Sequence, residues 1–372
     1  MKCKLSDICS FRKGKVEVES LNAKNYISTE NMLPNKCGIT EASSLPTVSL
    51  TQEYKNGDVL VSNIRPYFKK IWQAQYDGGC SNDVLVFVPN PNTDKDFLYY
   101  VLADDDFFTY SMATSKGTKM PRGDKTSIMQ YEVPLIDLQV QVKIASVLKV
   151  LDKKIELNNE INNNLAQQAQ AIYQQMFIDN ASSDWAEGTL SDIADITMGQ
   201  SPSGSSYNED GNGTIFFQGR AEFGFRFPTV RLYTTEPKRI ACVNDTLMSV
   251  RAPVGDLNVA HTDCCIGRGL AAIHSKNNHQ SFVLYTMFSL KKQLDVFNGE
   301  GTVFGSINRN SLNEMPILIP SSEKLDEFEA LVAPMDAAIR NNYDEICHLE
   351  QLRDSLLPKL MSGELNVSDI DF

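Results

Sequence analysis

The chain carries the same ordered set of short segments twice, so any fold open to it has to be built in duplicate. Leu5-Ser6-Asp7-Ile8 recurs 185 residues on as Leu190-Ser191-Asp192-Ile193. Gly57-Asp58-Val59-Leu60-Val61-Ser62 is echoed 187 residues on by Asn244-Asp245-Thr246-Leu247-Met248-Ser249. Phe97 and Tyr100 match Phe282 and Tyr285 at 185, Gly117-Thr118 matches Gly301-Thr302 at 184, and Val133-Pro134-Leu135 matches Met315-Pro316-Ile317 at 182. The offsets are close to half of the 372 residues, and with only two units the pattern is a duplicated domain rather than a solenoid.

Each half ends in a heptad seam. Ile144, Leu148, Leu151, Ile155, Asn158, Asn162, Leu165, Ala169, Ile172 and Met176 alternate steps of 4 and 3. Phe328, Val332, Met335, Ile339, Asn342, Ile346, Leu349, Arg353, Leu356 and Leu360 repeat the alternation, each at its partner's number plus 184. The spacing predicts one long helix from about Leu138 to Phe177, capped by Asp137, and its duplicate starting at Ser321-Ser322-Glu323 and stopping at Ser362-Gly363. Pro334 inside the second seam and Pro358 near its end predict a kink or a restart, because proline removes a backbone donor. Asn158 and Asn342 occupy the same step near the seam centres, and in an antiparallel pair they are expected to approach each other.

The segments before the helices alternate short β-branched and aromatic runs with Gly, Asn, Asp and Pro, and read as α+β. Strands are expected over 58–64, 83–88, 214–217 and 246–250, and short helices around 97–107 and 282–294. The order is therefore a compact domain over 1–137, a long helix over 138–180, a second domain over 181–320, and a second helix with an acidic tail over 321–372.

A net charge of −12 argues against a generally basic nucleic-acid binder, but its distribution changes the reading. The two domains are near neutral, at −1 and −3, while residues 321–372 hold −8. No apolar run reaches the roughly 18–20 residues of a membrane span, and a cytoplasmic location is expected. The eight cysteines form no CxxC pair, and the four histidines have no metal-ligand spacing, so reduced thiols and no metal are expected. Nucleophile elbow, zincin, P-loop and Asn-Pro-Pro-aromatic signatures are absent. Gly299-Glu300-Gly301 lacks the third glycine of a nucleotide cradle and reads as a turn. Glu53-Tyr54-Lys55 and Glu236-Pro237-Lys238 have the ExK spacing of metal-dependent nucleases without the upstream Pro-Asp pair, and read as surface charge pairs.

What remains is a binding surface. Arg and Lys contact phosphates or guanine, and Asn and Gln pair with adenine. Basic residues mixed with turn formers occur at Asn63-Ile64-Arg65-Pro66-Tyr67-Phe68-Lys69-Lys70 and from Lys116 through Lys119 and Arg122 to Lys125. The second half has counterparts at Ser249 to Gly255, Cys265 to Gly269 and Gly301 to Arg309. A solvated basic loop is the plainer explanation of any one of these, and their recurrence at equivalent places weakens it. The candidate contacts are Asn63, Arg65, Tyr67, Lys69, Lys70, Lys116, Lys119, Arg122 and Lys125, with Gln218, Arg220, Arg251, Arg268, Asn308 and Arg309.

Gly57-Asp58-Val59-Leu60 leading into Arg65-Pro66-Tyr67, Arg251-Ala252-Pro253-Val254-Gly255 with Ile266-Gly267-Arg268-Gly269, and the proline-ended strands feeding two long helices resemble the specificity (S) subunit of type I restriction-modification systems over nearly the whole chain. The resemblance implies two α/β target-recognition domains separated by two long antiparallel coiled-coil helices with pseudo-two-fold symmetry, each domain reading one half of a split DNA sequence. It implies a non-catalytic chain without a cofactor of its own. Two modification subunits would bring S-adenosylmethionine and adenine methylation, and restriction subunits ATP, Mg and cleavage. Pro334 departs from a continuous second helix. Two other readings stay open at this point: a self-contained metal-dependent endonuclease using the ExK sites, and a coiled-coil assembly protein with no DNA role.

Overall fold

The computed structural model describes residues 2–299 and 305–367. The described chain forms two compact units, one holding the residues up to Leu157 together with those from Glu345 onward, the other Asn158–Asp344.

Both units are built from the same parts. The Leu-Ser-Asp-Ile repeat forms a single helical turn in each, at Leu5–Ile8 and Leu190–Ile193. Its leucine and isoleucine are buried. Its aspartate reaches back to the backbone N–H three residues earlier, Asp7 to Lys4 at 2.8 Å and Asp192 to Thr189 at 2.7 Å. The strand before each turn pairs antiparallel with the strand that leads to the long helix, Lys2–Lys4 with Glu132–Pro134 and Ala186–Thr189 with Pro316–Ile319.

The first unit's main sheet runs Cys9–Phe11, Val84–Pro89, Val59–Ser62, Ile71–Gln73, and the second unit's runs Ala194–Met198, Leu270–Ser275, Thr246–Ser249, Leu257–Val259. Every pairing in both is antiparallel. A second sheet in each contains one parallel pair, Tyr26–Ile27 with Gly78–Cys80 and Thr214–Phe217 with Cys264–Ile266. The expected strands are all present, shifted at their ends by a residue or two.

Four helices matter below: α1 (Lys95–Ala103), α2 (Leu138–Tyr173), α3 (Gln280–Ser289) and α4 (Ser322–Ser362). Asp137 precedes α2, which ends in a π-type turn over Gln174–Asp179. The helix does not restart at Pro334, since α4 runs through both Pro334 and Pro358. Proline removes one backbone bond, and here its neighbours Val332, Met335 and Ile339 bury against the core of their unit and hold the turns on either side. Gly363, at φ 76°, stops the helix.

Every seam residue is buried or partly buried. In the first unit Ile144 and Leu148 share a core with Leu357 and Leu360, so the start of α2 packs beside the end of α4. In the second unit Ala169 and Tyr173 share a core with Phe328 and Val332, so the end of α2 packs beside the start of α4. Asn342 Nδ2 donates to Asn162 Oδ1 at 2.9 Å, one helical turn from Asn158; both Asn158 and Asn162 are buried. Among the described residues no helix is long and apolar enough to cross a membrane.

Candidate nucleic-acid interface

The two basic loops of the first half are stitched together by backbone bonds. Arg65 N–H donates to Pro121 O at 2.8 Å, Gly123 N–H donates to Asn63 O at 3.1 Å, and Ile64 bridges Arg122. The second half repeats the stitch at the equivalent positions. Ala252 N–H donates to Gly305 O at 3.0 Å, Ile307 N–H donates to Val250 O at 3.1 Å, and Arg251 bridges Ser306. A helical turn follows each loop, capped in the same way: Asp124 Oδ1 accepts from Ser127 N–H and Asn308 Oδ1 from Ser311 N–H, both at 2.9 Å. The duplication therefore reaches into the loops, where the side chains on the shared backbone differ.

In the first half Arg65 and Lys69 sit in the left-handed backbone region at φ 51° and 50°, flanking the turn Pro66–Phe68. That conformation costs a side-chain-bearing residue of the order of 1 kcal/mol. Arg65 Nε and Asn63 Oδ1 are buried and have no hydrogen-bond partner among the described residues. A Cβ at Gly123 would lie 2.7 Å from Asn63 Oδ1, so a larger residue there would push the Asn63 side chain aside. Tyr67 and Phe68 project outward as a tilted pair with ring centroids 4.6 Å apart. Backbone strain, two orphaned polar atoms and exposed aromatic rings thus coincide in one patch, the combination expected where a ligand completes the surface.

Most of the candidate cations here are already partnered. Lys69 pairs with Asp105 at 2.7 Å, Lys116 with Asp124 at 2.6 Å and Arg122 with Asp83 at 3.0 Å. Lys70 donates to Thr29 O at 2.6 Å and lies over the Phe68 ring, and Lys125 lies over Phe11. The Lys116 ammonium, with the backbone N–H and hydroxyl of Ser127, holds the Asp124 carboxyl down to about 2. Lys119 has no such partner among the described residues.

In the second half Gly267 N–H donates to Phe217 O at 2.8 Å, which brings Gln218 against the Gly267-Arg268-Gly269 turn. A Cβ at either glycine would lie 2.9 Å from Gln218 O. Arg220 forms an ion pair with Asp256. Arg251, Arg268 and Arg309 are exposed, without a side-chain partner among the described residues. Asn308 uses its side-chain oxygen as a helix cap. Ser201, which carries no signal in the sequence beyond its neighbouring turn formers, joins the patch by accepting from Arg268 N–H at 3.2 Å. The Gly301-Thr302 match and the remainder of the loop over 300–304 lie outside the described residues.

Among the described residues neither ExK site has a metal cluster beside it. Glu53 faces Arg12 at 3.7 Å and Lys55 at 4.0 Å, and no group of three or more His, Cys, Asp or Glu able to hold a metal occurs among the described residues. No disulfide joins any of the eight cysteines, and burial pushes Cys9, Cys80 and Cys264 up to about 12.

Comparison with known proteins bears on the same two regions. The model of the type I restriction modification DNA specificity domain matches residues 1–167 and again 182–330. A putative type I restriction enzyme MjaX specificity subunit of Methanocaldococcus jannaschii is 29% identical over 340 residues, covering 84% of this chain and 79% of that one. The type I restriction enzyme HindI specificity subunit of Haemophilus influenzae is 23% identical over 431 residues, covering 91% and 94%. The crystal structure of a type I restriction-modification system S subunit from M. genitalium shares the fold, with a TM-score of 0.60 at 17% identity over 97% of this chain and 96% of that one. With two family domains spanning most of its length, the chain belongs to the type I restriction-modification DNA specificity family.

Proposed function

We propose that the chain is the DNA-specificity subunit of a type I restriction-modification complex, in which each half reads one part of a bipartite double-stranded target. The observation that carries this reading is the stitched loop pair, built on the same backbone bonds in both halves but dressed with different side chains. Arg65 and Arg122 of the first loop pair correspond by the repeat to Ala252 and Ser306, and Arg251 corresponds to Ile64. One scaffold thus presents two different sets of donors, which is what reading two different half-sequences requires.

On this reading the chain recognises DNA and performs no chemistry of its own. The long helices dock two modification subunits that supply S-adenosylmethionine-dependent adenine methylation, restriction subunits supply ATP- and Mg-dependent cleavage, and the complex works in the cytoplasm. The acidic second helix, with 12 acidic and 4 basic residues over 321–372, suits a protein-facing role better than a DNA-facing one. Mapping methylated adenines in cells with and without the chain tests the proposal. A split motif that disappears with the chain is the expected result, and an unchanged methylation map would sink it. Plasmid cleavage by the purified chain with magnesium alone would favour the endonuclease instead.

A further inference from the structure

The hairpin formed by the strands Val59–Ser62 and Ile71–Gln73 recurs in the second half with Thr246–Ser249 and Leu257–Val259, but the turns that close the two hairpins differ. Ser62 N–H donates to Lys70 O at 3.0 Å and Ser249 N–H donates to Asp256 O at 2.9 Å, so both turns start and end alike. Between those ends lie residues 63–69 in the first half and 250–255 in the second, one residue fewer. The shorter turn folds inward. Its Val254 is fully buried in the core that also holds Val283 and Met287 of α3. The longer turn directs its apolar side chains outward, with Tyr67 49% and Phe68 36% exposed.

The outward turn is fixed in a shape its residues do not favour. Among the described residues six non-glycine residues have a positive φ, and four of them meet here. Arg65 and Lys69 bound the turn, while Asn35 and Lys36, at φ 56° and 62°, brace it from the side. Asn35 N–H donates to Phe68 O at 2.8 Å and Lys36 N–H donates to Lys69 O at 2.9 Å. Asparagine tolerates this region, but lysine and arginine gain nothing locally from it, and such residues cluster where a fold holds a segment ready for a ligand. The braces also gather charge. Lys36 and Lys69 share Asp105 at 2.9 and 2.7 Å, and Lys70, which has Glu30 nearby, lies 5.8 Å from the centre of the Phe68 ring. With Arg65, four cations stand around the two rings against two carboxylates. A surface of this sign favours a polyanion, and exposed flat rings favour flat apolar faces. A DNA duplex offers both together where a base step is opened.

We propose that Tyr67 inserts its ring between two base pairs of the half-site read by the first domain and kinks the duplex there. Phe68, whose ring centroid lies 4.6 Å from that of Tyr67, backs the inserted ring, and the cations hold the flanking phosphates. The inference rests on the DNA-reading assignment and adds how the first half grips its target. Pyrimidine–purine steps unstack most easily, so the first half-site gains a preference for TA or CA/TG at a position that no side chain has to read by hydrogen bonds. The turn of the second half, with Val254 buried, has no ring to insert.

The full chain, without partners able to open the duplex, is titrated with a duplex carrying the motif found by methylation mapping and with a scrambled duplex. The adenines of both strands are replaced in turn by 2-aminopurine, whose fluorescence is quenched by stacking; every TA or CA/TG step contains one such position. A several-fold rise in fluorescence at one step is expected. Tyr67→Ala, at an exposed position, is expected to keep the melting temperature, to lose that rise and to bind the motif about tenfold more weakly, whereas Tyr67→Trp keeps both. Motif-specific binding with no unstacked position, or a Tyr67→Ala variant that unstacks and binds like the parent, would overturn the insertion and leave the DNA-reading assignment standing. Equal binding of the motif and scrambled duplexes would remove that assignment and the insertion with it.

Discussion

At Arg65 the backbone and the side chain are at odds. The left-handed conformation at φ 51° favours glycine, yet the position carries a long cation whose Nε is buried and unpaired. Arg65→Gly is therefore expected to hold thermal stability or raise it by about 1 kcal/mol at most, while specific DNA binding weakens by about 1–3 kcal/mol. Melting curves and binding isotherms on one preparation separate the two effects, and a variant that loses stability and binding together would make Arg65 a folding residue instead. Asp124 answers a different question. Its carboxyl is held down to about 2, so its contribution is fully present above the unfolded value near 4 and is lost as pH falls through about 2. An NMR titration of the Asp124 carboxyl carbon should find that low midpoint, and Lys116→Ala should raise it. The basic composition of these loops is readable in the sequence. Their pairing is not, because Lys69, Lys116 and Arg122 find their aspartates 36, 8 and 39 residues away through the tertiary fold.

At the scale of elements, what was legible and what was not divides by range of interaction. The heptads are local patterns whose cause lies within a few residues, and both long helices appear where the spacing puts them. Two-residue strands such as Tyr26–Ile27, by contrast, exist only because Gly78–Cys80 lies alongside, and no local period announces them. Arg353, a charged residue at a seam step, donates to Asp152 at 2.9 Å, where its counterpart Ala169 is simply buried. The buried asparagines carry the cost of a polar group in a seam. Replacing Asn162 and Asn342 together by leucine is expected to raise the denaturation midpoint while loosening the register of the helix pair, which cysteine crosslinking across the seam would report as several products instead of one. Inserting one heptad into both helices beside Asn158 and Asn342 keeps the seam and lengthens each helix by about 10 Å. If the helices set the spacer of the target, the methylated motif should gain about three positions at about 3.4 Å per base pair. A folded, active insertion variant with the original spacer would remove that role from them.

The whole molecule is divided differently from its sequence. Sequence boundaries at 138 and 321 mark where the helices begin, whereas the compact units cut through both helices, so the first unit contains the start of α2 and the end of α4. Its core accordingly joins Phe97, Leu98 and Val101 of α1 to Ile144 and Leu148 of α2 and to Leu357 and Leu360 of α4. This bears on the modular reading of the target. Exchanging residues 1–137 for the same segment of a relative should change one half of the methylated motif and leave the other intact, because the second unit's sheets and loops are untouched. The exchanged domain must nevertheless pack on helix residues it did not evolve with, so a loss of stability of the order of that for a few mismatched core side chains, about 1–3 kcal/mol, is expected. An exchange that also carries residues 138–157 and 345–367 should restore the melting temperature and give the same new motif. Both halves of the motif changing together would show that the two units do not read independently. A motif that depends on which helix residues accompany the exchange would instead place part of the recognition in the seam itself.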